Sequence, residues 1–166
     1  MKKFVLTLAL AITLSACAQQ SDKIVYNMSE ITETADIQKA TVSKVKDGIV
    51  NVINQDEFAA LIAEWKQQSR WVFKGNRPAI IDFNATWCGP CRKLKPVLEQ
   101  LAKEYSGKID FYSIDVDDNR ELAMTFRISS IPMLLICPVD STPQALVGLH
   151  PKENIVEAIQ IVAKVQ

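Results

Sequence analysis

The sequence predicts an α/β fold, a three-layer α/β/α sandwich around a central mixed sheet. Three observations lead there. Apolar runs of strand length alternate with stretches of helical periodicity, and the elements read βαβαβαββα. The run 79–83, Ala-Ile-Ile-Asp-Phe, is apolar on both faces except for one carboxylate, as a strand covered on two sides must be. At 166 residues and 48% hydrophobic, the chain can bury the core of one ordinary domain but hardly of two. Strands linked through helices are expected to pair in parallel, and the tight connection before the last strand implies an antiparallel edge.

The ordered domain is expected over residues 48–166. Ile49, Val50, Val52 and Ile53 form a β-branched run, the first strand. Asn54 or Asp56 can cap a helix in which Phe58, Leu61, Ile62 and Trp65 recur at helical spacing. Gly75-Asn76-Arg77-Pro78 makes a turn into the central strand. A long helix comes next with Leu94, Leu98, Leu101 and Tyr105 on one stripe; Pro96 removes a backbone donor and is expected to kink it, and Ser106-Gly107 ends it. Residues 109–116 form the next strand. Asp118-Asn119 opens a shorter helix carrying Leu122 and Phe126. Residues 133–137 are a strand, 138–143 a turn and 145–149 the last strand. Pro151 starts a final helix with Ile155, Ile159 and Val162 on its buried side.

Ahead of the domain, Met1-Lys2-Lys3 is a short positive segment leading into an apolar run from Phe4 to Leu14. The run is short for a membrane span and matches the n- and h-regions of a secretory signal. Leu14-Ser15-Ala16-Cys17 resembles the lipobox of bacterial lipoproteins, in which cleavage precedes a cysteine that then carries lipid. Residues 1–17 are accordingly expected to be a signal peptide with Cys17 lipidated. Ordinary cleavage after small residues, leaving a soluble protein, and an uncleaved anchor are the other two readings. All three place the domain in the cell envelope, on the periplasmic side, lipid-anchored or soluble. Residues 18–47 are polar and without a sustained apolar face, and read as an extension between membrane and domain.

Nineteen Lys and Arg balance 19 Asp and Glu, so no excess of clustered basic charge argues for nucleic acid as a partner. The single histidine, His150, makes a His-based zinc site or a Cys/His protease a poor fit. Besides Cys17 there are three cysteines, a close pair and the isolated Cys137. That pattern suggests a redox couple and an inert core residue rather than a disulfide-stapled scaffold.

The chemistry sits between the central strand and the long helix, in Trp87-Cys88-Gly89-Pro90-Cys91. Cys88 is placed at a helix N-terminus, where unpaired N–H groups and the helix dipole stabilise a thiolate, the species that attacks a disulfide. Cys91, one turn further in, is expected to be shielded and to resolve the mixed disulfide. Gly89 lets a partner's backbone approach, Pro90 stiffens the loop, and Trp87 is expected to form apolar surface beside the sulfur rather than core. A bare CxxC can also be half of a four-cysteine zinc site, but no second pair exists here, so no metal and no cofactor are expected. Asp82, within an otherwise apolar strand, should have a raised pKa and pass a proton to or from Cys91; the alternative is a hydrogen-bonded structural aspartate.

The segment 83–91, Phe-Asn-Ala-Thr-Trp-Cys-Gly-Pro-Cys, resembles the active-site segment of the thioredoxin family. The resemblance covers roughly residues 48–166, includes element order, and implies the thioredoxin fold. Pro96 sits where that family has a helix-kinking proline, and Asp82 where it buries a carboxylate beneath the disulfide. Ile131-Pro132 resembles the family's cis-proline loop, and Gly148 matches a glycine lining its peptide-binding surface. There are departures. Asn84 stands where many relatives have tryptophan, Ser113 where a lysine commonly faces the aspartate, and Met133 after the proline is expected to alter substrate choice. Without the lysine, Asp82 should be more purely desolvated.

The resemblance implies a thiol–disulfide oxidoreductase. Gly89-Pro90 and Ile131 are similar to reducing members, so the leading expectation is a monomeric reductase. It would act on exported proteins with thiols or disulfides and be recharged by a membrane redox partner. An oxidant that forms disulfides in secreted proteins, and a non-enzymatic module that binds unfolded chains, are the alternatives.

Overall fold

The computed structural model describes residues 45–66 and 70–165. The expected signal peptide, Cys17 and the expected extension up to residue 44 lie outside the described residues. Among the described residues, nine elements run in order: β1 (Val50–Val52), α1 (Gln55–Leu61), β2 (Ala79–Asn84), α2 (Gly89–Glu104), β3 (Asp110–Asp115), α3 (Arg120–Thr125), β4 (Met133–Cys137), β5 (Gln144–Val147) and α4 (Lys152–Ala158). One π-helical turn, Ile159–Ala163, extends α4.

The sheet runs β1-β3-β2-β4-β5, with β2 at its centre as its two-sided apolarity required. β1 and β2 both pair with β3 in parallel. β4 breaks that pattern: it pairs antiparallel with β2 although a helix, α3, separates it from β3, and β5 then pairs antiparallel with β4. The expectation that strands joined through helices pair in parallel fails here. A parallel crossover needs a connection that returns the chain to the starting end of the sheet. After the short α3 the chain runs through residues 126–132 directly into β4, without such a return.

Side-chain alternation along β2 divides the interior into two cores. Ala79, Ile81 and Phe83 join Phe58, Ile62, Leu122 and Leu135 on the α1/α3 side. Ile80 joins Leu94, Leu98, Leu101, Ile136, Ile155 and Ile159 on the α2/α4 side. By the same period of two, Asp82 falls on the Ile80 face, beneath α2. Phe126 packs edge-on against Phe58, with ring centroids 5.4 Å apart, and against Trp71 at 6.3 Å.

The structure fixes the element ends. Asn54, not Asp56, caps α1: its side chain accepts from the backbone of Asp56 and Glu57, and Glu57 closes the capping box by accepting from Asn54 N at 2.9 Å. α2 is one continuous helix through Pro96. Pro151 is the N-cap of α4 rather than its first residue, and the last strand ends at Val147. Met133, the residue after the proline, is buried against the α1/α3 core. Cys137 is fully buried opposite Ala79, and burial pushes its thiol well above the ordinary range, as an inert core residue requires.

Candidate active site

β2 and β3 run in parallel, so the loops leaving their C-terminal ends emerge on the same side of the sheet. The loop after β2 carries Trp87 and Cys88 into α2; the loop after β3 carries Val116 and Asp117 into α3. Cys88 is the N-cap of α2, its backbone extended, its N–H donating to Ala85 O at 3.1 Å and its sulfur accepting from Cys91 N at 3.2 Å. Pro90 occupies the first helical turn, where a missing N–H costs no intrahelical bond. Cys88 and Cys91 are joined in a disulfide, with Cα atoms 5.3 Å apart.

The two cysteines are not distinguished by burial in this oxidised form. Cys88 is 3% exposed and Cys91 5%, so the shielding expected of the second cysteine covers the first as well. The bond itself covers one sulfur with the other, and Val116 and Ile131 pack over the pair together with Ala85. Position sets the two cysteines apart: the Cys88 sulfur sits at the positive helix end, and Cys91 lies within the first turn.

Trp87 is 66% exposed, which removes the core-packing reading. Its ring is held by an Nε1–H bond to Asp117 Oδ2 at 2.6 Å. No motif in the sequence singles out Asp117. The signal lies in topology: a carboxylate just past β3 must sit beside the loop that leaves its parallel neighbour. Its backbone is fixed in turn by Asp115 Oδ1, which accepts from Asp117 N, and by Arg120, whose Nε donates to Asp117 O.

On the other flank, the Ile131–Pro132 bond is cis. Pro132 O accepts from Gly148 N at 2.8 Å, tying the proline loop to the end of β5. Gly148 has φ +97°, which favours glycine, and a Cβ there would enter open space. At Gly89 an added Cβ would meet nothing nearer than the Arg92 guanidinium at 3.9 Å. The fold itself therefore does not demand glycine at position 89.

Asp82 is 6% exposed. Desolvation raises its pKa from 3.8 to about 7, opposed by a hydrogen bond that its Oδ2 accepts from Asn84 Nδ2 at 3.2 Å. Its other oxygen, Oδ1, has no hydrogen-bond partner. Ser113 lies opposite it in the β2–β3 register and carries no charge. Asp82, Cys91, Asn84 and Ser113 share the lining of a cleft of about 480 Å³ between β1 and α2.

An α/β sheet with a CxxC disulfide capping a helix, a buried carboxylic acid sharing its cleft and a cis-proline loop beside it defines a thiol–disulfide oxidoreductase. The thioredoxin family model matches residues 49–161. A thioredoxin of Borreliella burgdorferi is 39% identical over 108 residues, 63% of this chain and 92% of that protein. One of Staphylococcus haemolyticus is 45% identical over 80 residues, 48% of this chain and 77% of that protein. Among solved structures, chloroplastic thioredoxin z superposes with a TM-score of 0.60 at 33% identity, covering 70% of this chain and 96% of that one. A mutant thioredoxin of Halobacterium salinarum gives 0.58 at 24% identity, covering 73% and 96%, a likeness of fold. The chain belongs to the thioredoxin family.

Proposed function

We propose that this thiol–disulfide oxidoreductase reduces disulfides of exported proteins on the periplasmic side of the cell envelope, and that a membrane redox partner recharges it. The observation that carries the exchange chemistry is the Cys88–Cys91 disulfide capping α2, with Asp82 lining the same cleft as Cys91.

In the reduced enzyme the Cys88 thiolate, stabilised by the N-terminus of α2, attacks one sulfur of the substrate disulfide. That bond breaks, one substrate sulfur leaves as a thiolate and takes a proton from water, and a mixed disulfide to Cys88 remains. Asp82 accepts the proton of the Cys91 thiol. The Cys91 thiolate attacks the Cys88 sulfur, the internal disulfide forms, and the second substrate thiolate departs. Two electrons have passed from the dithiol to the substrate. Trp87, Gly89 and Pro90 on one side, and Ile131, Pro132 and Gly148 on the other, form the surface on which the substrate backbone lies; Gly89 fits a contact outside the fold, since nothing inside it requires a glycine there.

The direction of flow rests on Gly89-Pro90 and Ile131, which are similar to reducing members of the family. The compartment rests on Met1 to Leu14 and on the Leu14-to-Cys17 segment, with Cys17 as lipid carrier. Acid trapping and alkylation in intact envelopes test both: a dithiol at steady state in the periplasmic fraction is expected, and a fully oxidised pool would establish the oxidant instead. Insulin reduction tests the chemistry, because a Cys88→Ser variant as fast as the unaltered protein would leave only a binding module.

A further inference from the structure

At the end of β2 the side chain of Asn84 turns back along its own strand. Its Nδ2 donates to Ser113 Oγ at 2.8 Å and to Asp82 Oδ2 at 3.2 Å. It also lies 3.1 Å from the Asp82 carbonyl and 3.4 Å from that of Ile114. Two of these four oxygens are main-chain carbonyls and one is a carboxylate, which can only accept unless protonated. The amide orientation is therefore determined: turned over, its own carbonyl would face all of them. Ser113, opposite Asp82 across the β2–β3 ladder, accepts from the amide and braces it.

Asp82 is thus held asymmetrically, with Oδ2 accepting a hydrogen bond and Oδ1 buried without one. We infer that Asn84, braced by Ser113, is a positioning residue that fixes the Asp82 carboxyl with Oδ2 as permanent acceptor and Oδ1 as the oxygen that takes up and releases the proton. The inference rests on the reading of Asp82 as proton acceptor for Cys91. When Cys91 closes the disulfide its proton passes to Oδ1, and from there to solvent along the cleft that Asp82 and Cys91 share.

Nothing else around the carboxylate takes this role. The charged groups in the cleft, Arg92, Lys95, Glu99 and Lys103, all belong to α2, and none of them hydrogen-bonds Asp82 among the described residues. β1 contributes backbone and aliphatic groups to the cleft, and β4 sets Leu134 against Asp82 in the ladder. The donor is a neutral amide, which favours the carboxylate without adding a charge.

The test compares wild type with Asn84→Leu, Ser113→Ala and Asp82→Asn, by carbon-13 NMR titration of the Asp82 carboxyl and by the pH profile of insulin reduction. Removing the amide removes a hydrogen bond to the ionised form, so Asn84→Leu should raise the Asp82 midpoint by about one pH unit. The corresponding limb of the rate profile should move with it. Ser113→Ala should shift both in the same direction and less, and it carries the test alone if Asn84→Leu does not fold. A merely structural role would lower the unfolding midpoint and leave the titration in place; wild-type Asp82 midpoints in both variants would overturn the inference. If instead Asp82→Asn keeps the wild-type pH profile, the proton-acceptor reading is what fails, while the NMR midpoints still decide whether Asn84 positions the carboxyl.

Discussion

A carboxylate that ought to sit near pH 4 is held at about 7 by burial in Asp82, and this has a consequence for stability. Between those values the folded protein binds a proton that the unfolded chain has released, so unfolding becomes easier as pH rises through the window. The full contribution is present below about pH 4 and lost above about pH 7, a difference of ~4 kcal/mol at most. Urea unfolding of the oxidised protein should therefore give a higher midpoint at pH 5 than at pH 8, and Asp82→Asn should flatten that slope; an equal slope in both proteins would show that Asp82 is not the group responsible. Gly148 offers a second single-residue test. Its φ of +97° is accessible to glycine and strained for alanine, so Gly148→Ala should cost about 1–2 kcal/mol despite the open space around it, measured by denaturant midpoint. Gly89→Ala, with no positive φ and no clash, should leave that midpoint unchanged and raise KM for insulin.

Elements are legible where local signals agree and less so at their ends. The unbroken apolar run of β2 and the period of about 3.6 along α2 are both readable; β2 is buried on both faces and α2 on the stripe its period indicates. The choice between Asn54 and Asp56 as cap turns on Glu57, whose place three residues after Asn54 completes the capping box and is a local signal the reading of either residue as cap left unused. Asn54→Ala should cost about 1 kcal/mol in unfolding free energy, while Asp56→Ala should be close to neutral. An equal loss in the two would contradict the assigned cap. Asn119, expected to open α3, makes no side-chain cap at all. It accepts from Gln55 N at 2.7 Å and donates to Asp115 O at 2.9 Å, fastening the start of α1 to the end of β3. That role depends on a neighbour 64 positions away, which no local pattern contains.

At the scale of the whole molecule, the functional question is how a partner reaches the sulfur of a residue that is 3% exposed. Reduction breaks the bond by which each sulfur covers the other, so Cys88 should then be the cysteine that reacts. Mass mapping of the reduced protein after brief iodoacetamide treatment near neutral pH is expected to find label on Cys88 well ahead of Cys91, with Cys137 unmodified because its thiol is buried and un-ionised. Equal labelling of Cys88 and Cys91 would remove the distinction between attacking and resolving thiol.

The amino-acid order by itself determined the chemistry and its frame. The spacing of Cys88 and Cys91 at a helix start, the lone carboxylate in an apolar strand and the alternation of strands and helices are all local patterns, written in consecutive residues. The features that only the tertiary structure decided are assembled from distant ones. β4 runs antiparallel to β2. Asp117 holds Trp87 across 30 positions. Asn84 and Ser113, read from sequence as departures, come together around Asp82 because β2 and β3 pair in one register. Side-chain periodicity specifies which face a residue occupies, but strand pairing specifies what stands opposite it, and pairing is settled by the packing of the whole sheet.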